Sequence, residues 1–209
     1  MVAALEKPKV TDKPNESVVL QIDDSDRYIT TVESQIHTLE DWLEIPLQST
    51  EWVNGKLQEK NEVTIKHSRI QANLSYFWRL RITQSNLGGI VYTEAPYRTS
   101  YQEKERGRKP DVAYLTPELL EQFGQPSSFP QSFPLIAELI SPTDYMEEAI
   151  AKTQEYLCSG FEEVWLVLPE AKWVIIITSE TKQIFTAINK VSTQKVLVGF
   201  NMPVSELLD

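Results

Sequence analysis

The chain has 209 residues, 41% of them hydrophobic and 24% charged, enough to bury the core of one globular domain. Its net charge of −10 argues against a strong non-specific nucleic-acid binder, and its single cysteine, Cys158, excludes an internal disulfide framework and a cysteine-rich zinc site. No apolar run is long enough to span a bilayer, and lysine and proline interrupt the first residues at once, so a cytoplasmic protein without a membrane partner is expected.

Residues 1–30 are polar, contain Pro8 and Pro14, and read as a weakly ordered segment. Residues 31–209 read as a single domain. A short helix fits Thr31–Glu44, where Ile36, Leu39 and Leu43 recur at helical spacing. Trp52–Glu59 reads as a hairpin turning at Asn54-Gly55, the pair that most readily adopts positive φ. Ile70, Leu74 and Phe77 give Val63–Gln84 the period of a long helix, ended by Gly88-Gly89. Ile90–Thr93 and Tyr97–Tyr101 suit strands, and Lys104–Lys109 reads as a basic loop. Pro110–Leu115 is a further strand, and Thr116-Pro117-Glu118 has the N-cap chemistry of a short helix. A Pro- and Ser-rich loop, Gln125–Pro134, precedes the strand Leu135–Ile140. A helix follows over about Tyr145–Cys158, stopped by Ser159-Gly160. Val164–Leu168 and Trp173–Ile177 are continuous apolar runs of the kind found in strands covered on both faces. Gln183–Ile188 and Lys195–Phe200 complete a meander. The expected fold class is α/β or α+β, a mixed sheet flanked by helices.

The chemistry-bearing residues are acids. His37 and His67 are too few and too far apart in sequence to suggest a histidine-held metal, so any metal is expected on carboxylates, which favour magnesium or manganese. Strand alternation puts Ile136, Glu138 and Ile140 on one face, and a carboxylate between two isoleucines needs a cation, a partner or water. Asp111 opens a strand after the basic segment; taken alone, an aspartate after proline is ordinary turn chemistry. Tyr145, Ala149, Lys152 and Tyr156 share one face of the following helix. That arrangement lets Lys152 reach the sheet or snorkel to water, while Glu147, Glu148, Ala151 and Glu155 make the opposite, solvent-like face. Residues 56–109 hold eleven of the twenty Lys and Arg against five acids, a local basic excess in an acidic chain.

The series Glu51-Trp52-Val53-Asn54-Gly55, Pro110-Asp111-Val112, Ala137-Glu138-Leu139-Ile140-Ser141-Pro142, Lys152-x-x-x-Tyr156 and Glu163-Val164-Trp165-Leu166-Val167 resembles a large bacterial family of restriction-endonuclease domains in the PD-(D/E)XK nuclease superfamily, over roughly residues 38–200. The resemblance implies a restriction-endonuclease-like fold. It also implies a catalytic aspartate, glutamate and lysine, matched here by Asp111, Glu138 and Lys152. The superfamily's usual Glu-x-Lys is broken by Ile140, and Lys152 matches a lysine moved to the next helix. Glu51 resembles a further acidic position near the start of the family domain.

On this resemblance, Mg²⁺ or Mn²⁺ is held by Asp111, Glu138 and the Leu139 backbone carbonyl, and the substrate is DNA. Lys104, Arg106, Arg108 and Lys109 are candidates to hold the nucleic-acid backbone, and a homodimer is expected. The alternative reading is a nuclease-fold protein that no longer cuts and serves in binding or assembly. A helix-turn-helix regulator built on Val63–Gln84 lacks a second short helix before it.

Overall fold

The computed structural model describes residues 36–61 and 63–209. The weakly ordered segment expected over residues 1–30, and the start of the helix expected from Thr31, lie outside the described residues. Helix α1 spans Leu39–Glu44, opened by a capping box in which Thr38 and Asp41 satisfy each other's backbone N–H groups. Strands β1 (Thr50–Val53) and β2 (Lys56–Glu59) form the expected hairpin, with Asn54 at φ 52° and Gly55 at φ 78°. The long helix α2, Ile65–Ser85, is capped by Thr64 at its start. It ends at Asn86 in the left-handed conformation, two residues before the glycines expected to stop it.

Six strands make the main sheet: β3 (Ile90–Thr93), β6 (Val112–Leu115), β7 (Leu135–Leu139), β8 (Glu163–Leu168), β9 (Trp173–Thr178) and β10 (Lys182–Thr186). Their order is β10-β9-β8-β7-β6-β3. Only the β7–β8 pair is parallel, and the crossover between those two strands carries helix α4, Met146–Cys158. A second sheet, β2-β1-β5-β4, contains β4 (Tyr97–Tyr101) and β5 (Lys104–Arg108).

The main sheet is covered on both faces. On one, Ile70, Leu74 and Trp78 of α2 pack on Val112, Ala137, Leu139, Trp165 and Val167, with Trp78 edge-on to Trp165. Leu207 and Leu208 of the C-terminal helix α5 (Val204–Leu208) join that cluster. On the other face Ile136, Val164, Tyr156 of α4 and Tyr97 of β4 enclose an aromatic cluster with Phe133 and Phe161. The short helix α3, Pro117–Phe123, begins at the Thr116 N-cap.

Three expectations are corrected. The basic loop Lys104–Lys109 is largely a strand: Lys104–Arg108 pairs with β4 throughout and with β1 at Gly107. Gly107 permits this because a Cβ there would fall 2.4 Å from the Trp42 ring. Lys195–Phe200 is not a strand. The strands in that region are β11 (Lys190–Ser192) and β12 (Asn201–Pro203), joined by a loop. The fully buried Glu163 holds that loop by accepting N–H bonds from Gln194, Lys195 and Val196, so its backbone is satisfied without a ladder. Glu155 does not face solvent but is 4% exposed and ion-paired. No helix among the described residues is long and apolar enough to cross a membrane.

Candidate active site

Register brings the two acids of the sequence together. Val112 of β6 pairs with Ala137 of β7, so Asp111, just before β6, and Glu138, just after Ala137, sit at the same end of adjacent strands. Glu138 shares its face with Ile136, as alternation predicts, and points toward α4. There Tyr156 donates its hydroxyl to Glu138 Oε1 at 2.5 Å, and Lys152 Nζ lies 3.1 Å from the same oxygen. Asp111, Glu138 and Lys152 line one pocket of about 650 Å³ together with Glu51, Lys60, His67 and Arg108.

The hairpin strand β1 contributes Glu51 from the opposite wall. Its Oε1 accepts from Lys152 Nζ at 3.0 Å and its Oε2 from Arg108 Nη1 at 2.7 Å. Arg108 also grips Glu155 of α4 with two nitrogens, at 3.0 and 2.7 Å. Arg108 is thus the buried guanidinium that neutralises two buried carboxylates, which a planar fork does better than an ammonium.

The four residues of the expected DNA-backbone set differ in exposure. Arg108 is turned inward. Lys109 is 5% exposed and donates to the carbonyls of Pro46 and Leu47 beside the Trp42 ring. Arg106 lies against Glu155 with Nη1 3.2 Å away, and of the four only Lys104 is freely exposed.

Four residues that no sequence signal singled out gather around Asp111, and two of them, Lys60 and His67, line the pocket. Lys60, just past β2, meets Asp111 Oδ1 at 3.2 Å and Glu94 Oε2 at 2.8 Å. His67 of α2 places Nε2 3.5 Å from Asp111 Oδ2, a separation too long for a firm hydrogen bond. Gln71, one helical turn on, donates to the Asp111 carbonyl at 2.7 Å and to Glu94 at 3.2 Å. Glu94 itself stands after β3 with φ 53°. Each is an ordinary polar residue on a helix or in a turn, and only the approach of α2 and the hairpin to the sheet end gives it meaning.

The electrostatics separate the acids. Burial pushes the Asp111 carboxyl up, but His67 and the Lys60 ammonium outweigh it. The Leu139 N–H, 2.6 Å from Oδ2, adds to them, and together they hold Asp111 well below the usual carboxylate range. Glu138 moves the other way: burial raises it, Lys152 opposes, and the like charge of Asp111 adds to the rise. Burial also works against the Lys152 ammonium, yet Glu138 and Glu51 outweigh it and raise its pKa, so it stays charged.

This donor set fits a hard divalent cation. Asp111 and Glu138 offer carboxylate oxygens into one pocket, and the Lys60 ammonium beside Asp111 Oδ1 marks a place that holds positive charge. Among the described residues no three His, Cys, Asp or Glu side chains gather into a complete cage. Magnesium requires none, because it keeps several waters and takes one or two carboxylates.

The comparisons agree with this architecture. A family model described as Uma2, putative restriction endonuclease, matches residues 35–205. Among solved structures, a putative nuclease belonging to DUF820 from Anabaena variabilis superposes with a TM-score of 0.69 at 17% identity, covering 82% of this chain and 97% of that one. At that identity the likeness is one of fold: a mixed sheet flanked by helices. No curated protein matches the sequence.

Proposed function

The chain belongs to the Uma2 family of restriction-endonuclease-like proteins, and from that premise we propose that it is a divalent-metal-dependent endonuclease hydrolysing phosphodiester bonds of DNA. One observation carries the reading. Asp111, Glu138 and Lys152 come from three elements and meet in one pocket, with the ammonium 3.1 Å from a glutamate oxygen.

Asp111 and Glu138 hold Mg²⁺ or Mn²⁺, and the Leu139 carbonyl adds a backbone oxygen. When bound, the cation supplies Lewis acidity and a water of lowered pKa. Asp111, kept ionised by its neighbours, is ready to ligate without first losing a proton. Burial raises the Glu138 carboxyl and Lys152 opposes that rise, so the two acids meet the cation with unlike proton affinities. Lys152 orients the attacking water or donates to the negative charge that develops on the phosphate. Glu51 positions Lys152 and is held in turn by Arg108. The homodimer implied by the resemblance and the cytoplasmic setting expected from the sequence belong to the same proposal.

The test is incubation of plasmid and single-stranded DNA with Mn²⁺, comparing wild type with Asp111→Ala. Cleavage by wild type, lost in Asp111→Ala, is expected, with Lys152→Ala lowering kcat roughly 10²–10³-fold. Equal cleavage by wild type and Asp111→Ala would sink the assignment.

The net charge of −10 and the inward turn of Arg108 and Lys109 favour a second reading, a nuclease-fold binding or assembly protein that does not cut. Calorimetry decides between them: an Asp111- and Glu138-dependent Mg²⁺ or Mn²⁺ signal supports the enzyme, and its absence supports the binding protein.

A further inference from the structure

Lys60 has no part in the reaction outlined above, yet its ammonium sits in a shell of oxygens. It lies 2.8 Å from Glu94 Oε2, 2.9 Å from the Lys109 carbonyl and 3.2 Å from Asp111 Oδ1, and its side chain is 17% exposed. Two carboxylates and a backbone carbonyl converging on one positive centre are the donors of a hard-cation site, here at hydrogen-bond distances.

Asp111 shares its two oxygens unequally. Oδ2 accepts the Leu139 N–H at 2.6 Å, with His67 Nε2 3.5 Å away, so Oδ1 is the oxygen left for a further cation, and Lys60 already holds it. Glu94 is built into its place. Its backbone takes the left-handed conformation at φ 53°, its N–H reaches the Asp111 carbonyl at 3.3 Å, and Gln71 bridges the two residues.

We infer that Lys60 is a tethered counter-ion competing with divalent metal for Asp111 Oδ1. In the metal-free pocket it keeps Asp111 and Glu94 from repelling each other. A divalent cation gains Oδ1 as the ammonium moves off it, and the ammonium keeps Glu94 and the Lys109 carbonyl as its resting place. Lys60 thereby lowers the pocket's affinity for metal and limits loading to conditions of ample cation. The inference rests on the metal-dependent reading and adds what regulates metal entry.

The experiment is Mn²⁺ titration calorimetry on wild type, Lys60→Met and Asp111→Asn, with thermal melts of each in EDTA and in Mn²⁺. Lys60→Met is expected to bind Mn²⁺ more tightly than wild type, on the order of tenfold, because a like charge has left the site. It is also expected to melt lower than wild type in EDTA and to gain more from Mn²⁺. Lys60→Gln, which keeps a donor without the charge, gives the same comparison if the methionine variant does not fold.

Equal or weaker binding by both uncharged variants overturns the role of Lys60, while loss of the heat in Asp111→Asn leaves the metal pocket standing. Heat that survives in Asp111→Asn puts the metal elsewhere and overturns the pocket and the inference together. So does the absence of heat from wild type and both Lys60 variants.

Discussion

Glu51 lies between two cations, 3.0 Å from Lys152 Nζ and 2.7 Å from Arg108 Nη1, in a wall where little water reaches it. Burial alone would raise its carboxyl, but Lys152, Arg108 and Lys60 outweigh burial and bring it from 4.5 down to about 2. A group whose folded pKa is depressed adds stability that is complete above its unfolded pKa and is lost as pH falls through the folded value. The Glu51 contribution is therefore lost between pH 4.5 and about 2. Urea melts across that range should show a shallower acid limb for Glu51→Gln than for wild type. Asp111, also depressed, keeps part of the limb in place. Because Lys152 leans on Glu51, the same variant should lower kcat by roughly 10–100-fold, the usual effect of losing a residue that orients a functional group.

Strand β5 shows how one element serves both fold and pocket. Its inner end carries Gly107, which lets Trp42 close over the backbone, and Arg108, which enters between β1 and α4 to join Glu51 with Glu155. Its outer end carries Lys104, which is exposed and, among the described residues, pairs through its backbone. Removing the guanidinium leaves two carboxylates buried without compensation, so Arg108→Met should destabilise by about 3–5 kcal/mol in chemical denaturation. Lys104→Ala should stay within about 0.5 kcal/mol. A loss as small for Arg108→Met as for Lys104→Ala would mean that Glu51 and Glu155 find other partners.

Across the whole molecule, the pocket sits where the six-stranded sheet, the hairpin sheet, α2 and α4 meet, so charge balance there is coupled to global stability. A cation bound only by the folded state at a hundred times its Kd adds about 2.7 kcal/mol. For a chain of this length that corresponds to a rise in Tm of roughly 5–10 °C. Calorimetric scans in EDTA and in saturating Mg²⁺ should show that shift in wild type and none in Asp111→Ala. An equal rise in both would place the stabilising cation outside the pocket.

Alternation along Leu135–Leu139 sufficed to aim Glu138 at the same face as Ile136, and helical spacing sufficed to set Lys152 one face over from solvent, in line with Tyr156. Asn54-Gly55 announced its turn, and the apolar runs of β8 and β9 announced the interior of a sheet covered on both sides. These are local properties, set by the period of the backbone and the residues that interrupt it.

The roles of Lys60, His67, Glu94 and Glu155 were not legible, because each depends on a partner far away in sequence: Asp111 for the first three and Arg108 for the last. The segment 104–109 shows the same limit. Its charges read as a basic loop, whereas Arg108 and Lys109 are buried, since carboxylates and carbonyls from β1, α4 and the α1–β1 connection wait to receive them. A cation's exposure is a balance between water and the acids that packing brings near, and the linear order of residues contains no term for that packing.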